Sequence, residues 1–163
     1  DSLRWELTQP ARAYSGVWNA TVDPPGCIQH CGEPPLACPA EISEDCLYMN
    51  VFTPRTAAIP SGGAPVVIFI HGGNFKDAFC GGPLYDGSQL ALMQGLVTVS
   101  INYRLGPLGF LFTANDSSVE PGAITGNFGL ADQRTAFAWV RDNIAAFGGD
   151  PTRITITGQS AGA

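Results

Sequence analysis

Residues Val66-Val67-Ile68-Phe69-Ile70 form an unbroken apolar run in which four of the five side chains are β-branched. Runs that do not alternate suit strands buried on both faces, the habit of parallel sheets. Residues 96–101 (Leu-Val-Thr-Val-Ser-Ile) predict a second buried strand, and residues 153–157 a third, again rich in β-branched side chains. Residues 47–52 read as a further strand, ended by Pro54. Residues 88–94 suit a short helix. A longer helix is expected over residues 130–147, where Leu130, Phe137, Val140, Ile144 and Phe147 recur at helical steps to give one apolar face. Gly148-Gly149-Asp150-Pro151 should stop it. Strands alternating with helices imply an α/β fold with a mainly parallel sheet. Residues 1–46 read as loop-rich, with Pro24-Pro25-Gly26 and Pro34-Pro35 as turn signals, and residues 115–126 as a surface excursion.

Composition narrows the function classes. Hydrophobic residues make up 45% of the 163 and charged residues 13%, against roughly 25% charged in soluble proteins; this suits a buried part of something larger. The net charge is -6 and Lys76 is the single lysine, which disfavours nucleic acid as a partner because phosphate binding needs a basic patch. No apolar run approaches the roughly 20 residues that span a bilayer. No leader peptide is visible at Asp1, as expected of a mature or shortened N-terminus.

Cys27, Cys31, Cys38 and Cys46 cluster, and Cys80 stands apart. They could be reduced thiols, or a zinc site with His30, although C-x3-C and the wide later gaps fit zinc sites poorly. Disulfides are favoured because two N-glycosylation sequons accompany the cluster, Asn19-Ala20-Thr21 and Asn115-Asp116-Ser117. Together they predict an oxidising, secretory route. Neither metal nor cofactor is expected.

Two short segments carry chemistry. Gly158-Gln159-Ser160-Ala161-Gly162 fits G-x-S-x-G and directly follows a predicted strand. In that pattern a sharp strand-to-helix turn exposes a nucleophilic serine. The glycines let the backbone turn without Cβ clashes, and the helix N-terminus beyond favours negative charge. The plainer alternative is an ordinary Gly-Ser turn. Upstream, His71-Gly72-Gly73-Asn74 follows the strand ending at Ile70. Its glycines let backbone N–H groups approach a substrate closely, and with the N–H of Ala161 they would form an oxyanion hole. The plainer alternative there is a strand-end turn with a structural histidine. Both segments, in this order, are far more specific than either alone.

With these residues in place the sequence resembles the type-B carboxylesterases, the cholinesterase-like branch of the α/β hydrolases. The resemblance runs from Leu3-Arg4-Trp5 through Ser43-Glu44-Asp45-Cys46-Leu47-Tyr48-Met49-Asn50-Val51, Asn102-Tyr103-Arg104-Leu105-Gly106 and Gly126-Asn127-Phe128-Gly129-Leu130-Ala131-Asp132-Gln133. It continues through Asn143-Ile144-Ala145-Ala146-Phe147-Gly148-Gly149-Asp150-Pro151 to the serine turn. It implies a secreted or extracellular serine esterase acting on small-molecule esters, with residues 1–163 forming part of one α/β-hydrolase domain. Ser160 matches the nucleophile, and Gly73, Asn74 and Ala161 match the oxyanion-hole donors. Cys27 and Cys46 match the family's N-terminal disulfide, which leaves Cys31 and Cys38 as a nested second bridge. Arg4 with Glu44, and Arg104 with Asp150, match structural ion pairs.

Three departures bear on specificity. Asn74 replaces the family's usual third glycine, though asparagine tolerates left-handed backbone. Gln159 replaces the usual glutamate before the serine, removing a charge that would attract cations. Residues 28–45 contain no aromatic side chain, which disfavours a choline platform. The triad order Ser, acid, His puts the acid and the base after Ser160, so both are expected outside these 163 residues. Accordingly the isolated chain is expected to be inactive and aggregation-prone. A non-catalytic, cholinesterase-like adhesion or storage protein is the rival expectation.

Overall fold

A computed structural model describes residues 3–13, 15–55, 59–112 and 126–163. Its centre is a four-stranded sheet ordered β3-β5-β4-β6. The strands are β3 (Met49–Phe52), β4 (Ala64–Ile70), β5 (Val97–Ile101) and β6 (Gly149–Gly158). β5 and β6 both run parallel to β4, while β3 pairs antiparallel with β5. The sheet is therefore mainly parallel with one reversed strand. Before it, β1 (Gly26–Cys27) and β2 (Ile42–Ser43) make a two-residue parallel bridge.

Register decides the two faces. Val66, Ile68 and Ile70 stand beside Val97, Val99 and Ile101. All six are at most 6% exposed, and burying each stabilises by roughly 1.5–3 kcal/mol. Tyr103, Leu105, Val140 and Ile144 belong to the same core. The β4 run departs from the expectation of two buried faces, because Pro65, Val67 and Phe69 are only half-buried. On their side of the sheet residues 80–87 pack against β5: Ser100 Oγ donates to the Cys80 carbonyl at 2.7 Å and Thr98 Oγ1 to the Gly87 carbonyl at 3.1 Å. Of the four strands of this sheet, only β5 is buried throughout.

α1 spans Ser88–Gln94 and α2 spans Gly106–Phe110. α3 covers Phe128–Asn143 and tightens into a 3-10 turn, Ile144–Phe147, before Gly148 ends it. Its inward face differs from the apolar stripe expected. Val140 and Ile144 are buried, but Leu130 and Phe147 are 44% and 40% exposed. Asp132 and Gln133 point inward instead.

Asp132 explains the exchange. Its carboxylate accepts from Arg104 N at 2.9 Å, Arg104 Nε at 2.8 Å and Arg104 Nη2 at 2.8 Å, and from the Thr8 hydroxyl. Arg104 Nη2 also donates to the Glu6 carbonyl at 2.9 Å, and Trp5 Nε1 donates to the Pro107 carbonyl at 3.0 Å. The extended N-terminal segment is thereby strapped across α2 and α3. The expected partnership of Arg104 with Asp150 does not form: Asp150 instead accepts from Thr152 N at 2.9 Å and Thr152 Oγ1 at 2.7 Å, closing a local turn. A local turn needs no long-range partner, whereas Arg104 already sits at the end of β5 facing Asp132. Arg4 does pair with Glu44, its Nε donating to Oε2 at 2.9 Å.

Cys27 is bonded to Cys46, and Cys31 to Cys38 within that loop. His30 is exposed in the same loop. Cys80 is a free, buried thiol. Its N–H donates to Asn102 Oδ1 at 2.7 Å, and its carbonyl accepts from Asn50 Nδ2 at 3.3 Å. Asn19 is exposed and its side-chain oxygen accepts from Thr21 Oγ1 at 2.7 Å. The sequon at Asn115, and most of the excursion expected over 115–126, lie outside the described residues.

Candidate active site

The parallel strands β4 and β6 end side by side, with Ile70 opposite Gly158. Crevices at the C-terminal ends of such strands are where α/β proteins bind ligands. The serine turn and the glycine segment both begin there. Gln159 N–H donates to the Ile70 carbonyl at 3.3 Å, then Ser160 takes φ +54° and opens a 3-10 turn, Ser160–Gly162. A serine in this left-handed region carries roughly 1–3 kcal/mol of strain and persists only where its surroundings enforce it.

The flanking glycines enforce it by proximity. A Cβ on Gly158 would lie 1.9 Å from the Gly162 carbonyl oxygen, and one on Gly162 would lie 2.2 Å from that of Ile70. A Cβ on Gly72 would come within 2.7 Å of the Gln159 carbonyl oxygen and 3.1 Å of Ser160 Cβ. So the glycine segment lies directly against the serine turn, and Ser160 stays exposed at its apex.

The glycine segment is left-handed at three successive residues, Gly73 at φ +88°, Asn74 at +52° and Phe75 at +60°. Asn74 thus adopts the conformation its residue type tolerates best after glycine. In a trans peptide the C=O and N–H point in opposite directions, so pinning a carbonyl aims the next residue's N–H. The Gly72 carbonyl faces His71 Nδ1 at 3.0 Å. The Gly73 carbonyl accepts from Lys76 N at 2.9 Å and Asp77 N at 3.1 Å. The Ser160 carbonyl accepts from Ala163 N at 3.0 Å. The N–H groups of Gly73, Asn74 and Ala161 therefore each belong to a peptide whose other end is tied back. Among the described residues none of the three donates a hydrogen bond.

His71 is 1% exposed. Because a carbonyl can only accept, its Nδ1 carries the proton, and its Nε2 has no partner among the described residues. Burial pushes its pKa down to about 4, more than the Gly72 carbonyl and the Asp77 charge raise it. The imidazole is neutral at ordinary pH. Tyr103 stacks on it with ring centroids 4.5 Å apart and donates its hydroxyl to the His71 carbonyl at 2.9 Å. Burial raises the Tyr103 pKa, so the phenol remains a donor.

Next to the turn a cavity of about 510 Å³ opens between Ile70, Phe75, Leu130, Gln133, Ile156 and Ala161. Sequence reasoning missed Tyr103 and Asp77. Tyr103 had a signal: it lies two residues past the end of β5, at the same sheet end as His71 and Ser160.

A profile of the Carboxylesterase family matches residues 1–163, the whole chain. The chain belongs to the carboxylesterase family. It is 44% identical over 161 residues to the "Fumonisin B1 esterase" of Sphingopyxis macrogoltabida, covering 99% of this chain and 29% of that protein. It is 45% identical over 165 residues to the "Crystal protein" of Dictyostelium discoideum, covering 100% and 28%. Among solved structures it matches a thermophilic PNB esterase with a TM-score of 0.86 and 44% identity, over 98% of this chain and 32% of that one. The sheet and its crossovers are thus part of an α/β-hydrolase fold. The chain spans less than a third of the length of each of these carboxylesterase-family relatives.

Proposed function

We propose that the protein containing this chain hydrolyses small-molecule carboxylic esters through an acyl-serine intermediate, residues 1–163 forming part of its hydrolase domain. The observation that carries the reading is Ser160 held at φ +54° against Gly72, with two of the three expected oxyanion donors one and two residues beyond. Ser160 Oγ adds to the ester carbonyl carbon as the C=O π pair moves onto oxygen. The N–H groups of Gly73, Asn74 and Ala161 receive that oxyanion; losing one such donor typically slows turnover about 100- to 1000-fold. A histidine takes the serine proton and returns it to the departing alcohol, and water then releases the acid. That histidine and its orienting acid come from outside these residues. Neither His30 nor His71 hydrogen-bonds Ser160, and His71 already commits Nδ1 to its own loop.

The test is covalent. A fluorophosphonate probe applied to the full-length protein should label Ser160, and Ser160→Ala should abolish both labelling and turnover of p-nitrophenyl acetate. A folded wild-type sample that does not label would reject the esterase reading in favour of a non-catalytic, cholinesterase-like adhesion or storage protein.

Exposure also supports two companion readings. β6 presents most of its residues to solvent and Ile156 is 51% exposed, so the 163-residue chain expressed alone should be inactive and aggregate; soluble, active monomer would contradict this. The formed disulfides and the exposed Asn19 sequon support secretion with N-glycosylation at Asn19 and Asn115. Treatment of the secreted protein with peptide N-glycosidase should increase its mobility, and Thr21→Ala should remove part of that shift.

A further inference from the structure

We propose that Tyr103 is a positioning residue for the oxyanion hole, acting through His71; this rests on the esterase reading above. The observation is a relay of contacts inside the sheet end. Tyr103 is fully buried. Its hydroxyl donates to the His71 carbonyl at 2.9 Å and approaches the Gly72 carbonyl at 3.5 Å. Its ring stacks on the His71 imidazole, tilted by only 19°, and Phe110 makes a T-shaped contact with it, centroids 6.4 Å apart. The stack fixes the plane of the imidazole, and the imidazole places Nδ1–H on the Gly72 carbonyl.

The consequence lies in the peptide that joins Gly72 to Gly73. With its carbonyl turned inward onto Nδ1–H, its N–H must point outward, and that N–H belongs to Gly73. A glycine at φ +88° has no side chain to hold this orientation by itself. The hydroxyl of Tyr103 and the ring of His71 supply what the glycine lacks. Oxyanion stabilisation depends on donors set in place before reaction rather than reoriented during it. Loosening the relay should therefore weaken binding of the transition state and leave binding of the uncharged ester alone.

The experiment uses the full-length enzyme, with rates normalised to sites titrated by the fluorophosphonate, so that misfolded protein is not counted. Tyr103→Phe keeps the ring and removes the hydroxyl. We expect kcat for p-nitrophenyl acetate to fall about 5- to 30-fold, less than the roughly 100-fold or more expected for loss of a donor itself, with KM within about twofold. The inhibition constant of a trifluoromethyl ketone, whose serine adduct carries an oxyanion, should rise by the same factor as kcat falls. His71→Leu should lower kcat similarly, and the double variant should lose little more than the larger single, since both residues act on one peptide. A Tyr103→Phe enzyme with wild-type kcat per titrated site overturns the role of Tyr103 while leaving the esterase reading intact. Losses that multiply in the double variant overturn the relay through His71. Wild-type protein that does not label at Ser160 overturns the esterase reading and this inference with it.

Discussion

Gly162 lies over the carbonyl of Ile70 so closely that a Cβ would stand 2.2 Å from the oxygen. This contact seats the serine turn on the end of β4. The oxygen is backbone and a Cβ is fixed to its Cα, so neither can swing aside as a side-chain tip would. Gly162→Ala should cost at least the roughly 1–3 kcal/mol typical of overpacking, and should tilt Ser160 away from Gly72. The expected outcome in the full-length protein is a lower Tm together with loss of fluorophosphonate labelling. Wild-type labelling rates in this variant would show that the contact is dispensable.

Asp132 is nearly inaccessible, and its partner Arg104 has a side chain only 11% exposed. Removing one member of a buried pair leaves the other charge uncompensated, at a cost of about 3–5 kcal/mol. Asp132→Asn should therefore destabilise by about that amount in denaturant unfolding. It should also release residues 4–8, which makes the N-terminal segment newly sensitive to protease. Asp150→Asn, by contrast, keeps a side-chain oxygen that can accept in the local turn and should change stability by about 0.5 kcal/mol or less. A larger effect at Asp150 than at Asp132 would restore the pairing expected from the sequence.

His71 gives stability a pH dependence of definite sign. Its pKa is about 4 in the fold against about 6.5 when unfolded. Since the folded value is the lower, the unfolded chain binds the proton first as pH falls. The contribution is complete above about pH 6.5 and is lost progressively down to about pH 4. Tyr103 and Tyr85 are its ring neighbours, and the Asp77 charge acts on it in the raising direction. Urea midpoints of wild type and His71→Asn should converge between pH 7 and pH 4. Parallel curves would rule out titration of His71.

The Cys27–Cys46 bond closes a loop with a sequence separation of 19. Constraining such a loop stabilises by about 3 kcal/mol on chain-entropy grounds. The double variant Cys27→Ser/Cys46→Ser should lose about that much in chemical unfolding. The loop also reaches the site: Gly32 N–H donates to Asp77 Oδ2 at 3.0 Å, and Gln29 Nε2 to the Ala78 carbonyl at 2.8 Å. Reduction should thus slow esterase turnover before global unfolding, measurable as activity loss that precedes the change in tryptophan fluorescence.

Much of this fold is legible in the sequence because its signals are local. The β-branched runs mark β4, β5 and β6, and residues 88–94 form α1 as their composition suggests. The serine turn is legible too, because Gly158 is dictated by a contact within the pentapeptide, with the Gly162 carbonyl. What escapes is set by partners far away in the chain. Leu130 and Phe147 fit a helical stripe, yet the face that turns inward is the one whose Asp132 can meet Arg104, 28 residues earlier. Periodicity counts apolar side chains and has no means of weighing a buried ion pair against them. Tyr103 escapes for the same reason, since its role depends on β4 and β5 ending at the same level, with Ile70 beside Ile101.

Burial raises the Cys80 pKa to about 12, so almost none of it is thiolate at neutral pH and native protein should ignore alkylating reagents. The other four cysteines of these residues are bonded in pairs. Cys80 is joined through its backbone to Asn50 on β3 and to Ser100 and Asn102 at the C-terminal end of β5. Its sulfur can meet a reagent only when the segment around Cys80 parts from β3 and β5. The rate at which one thiol becomes modifiable is consequently a clock for the parting of this segment from β3 and β5, readable without any substitution.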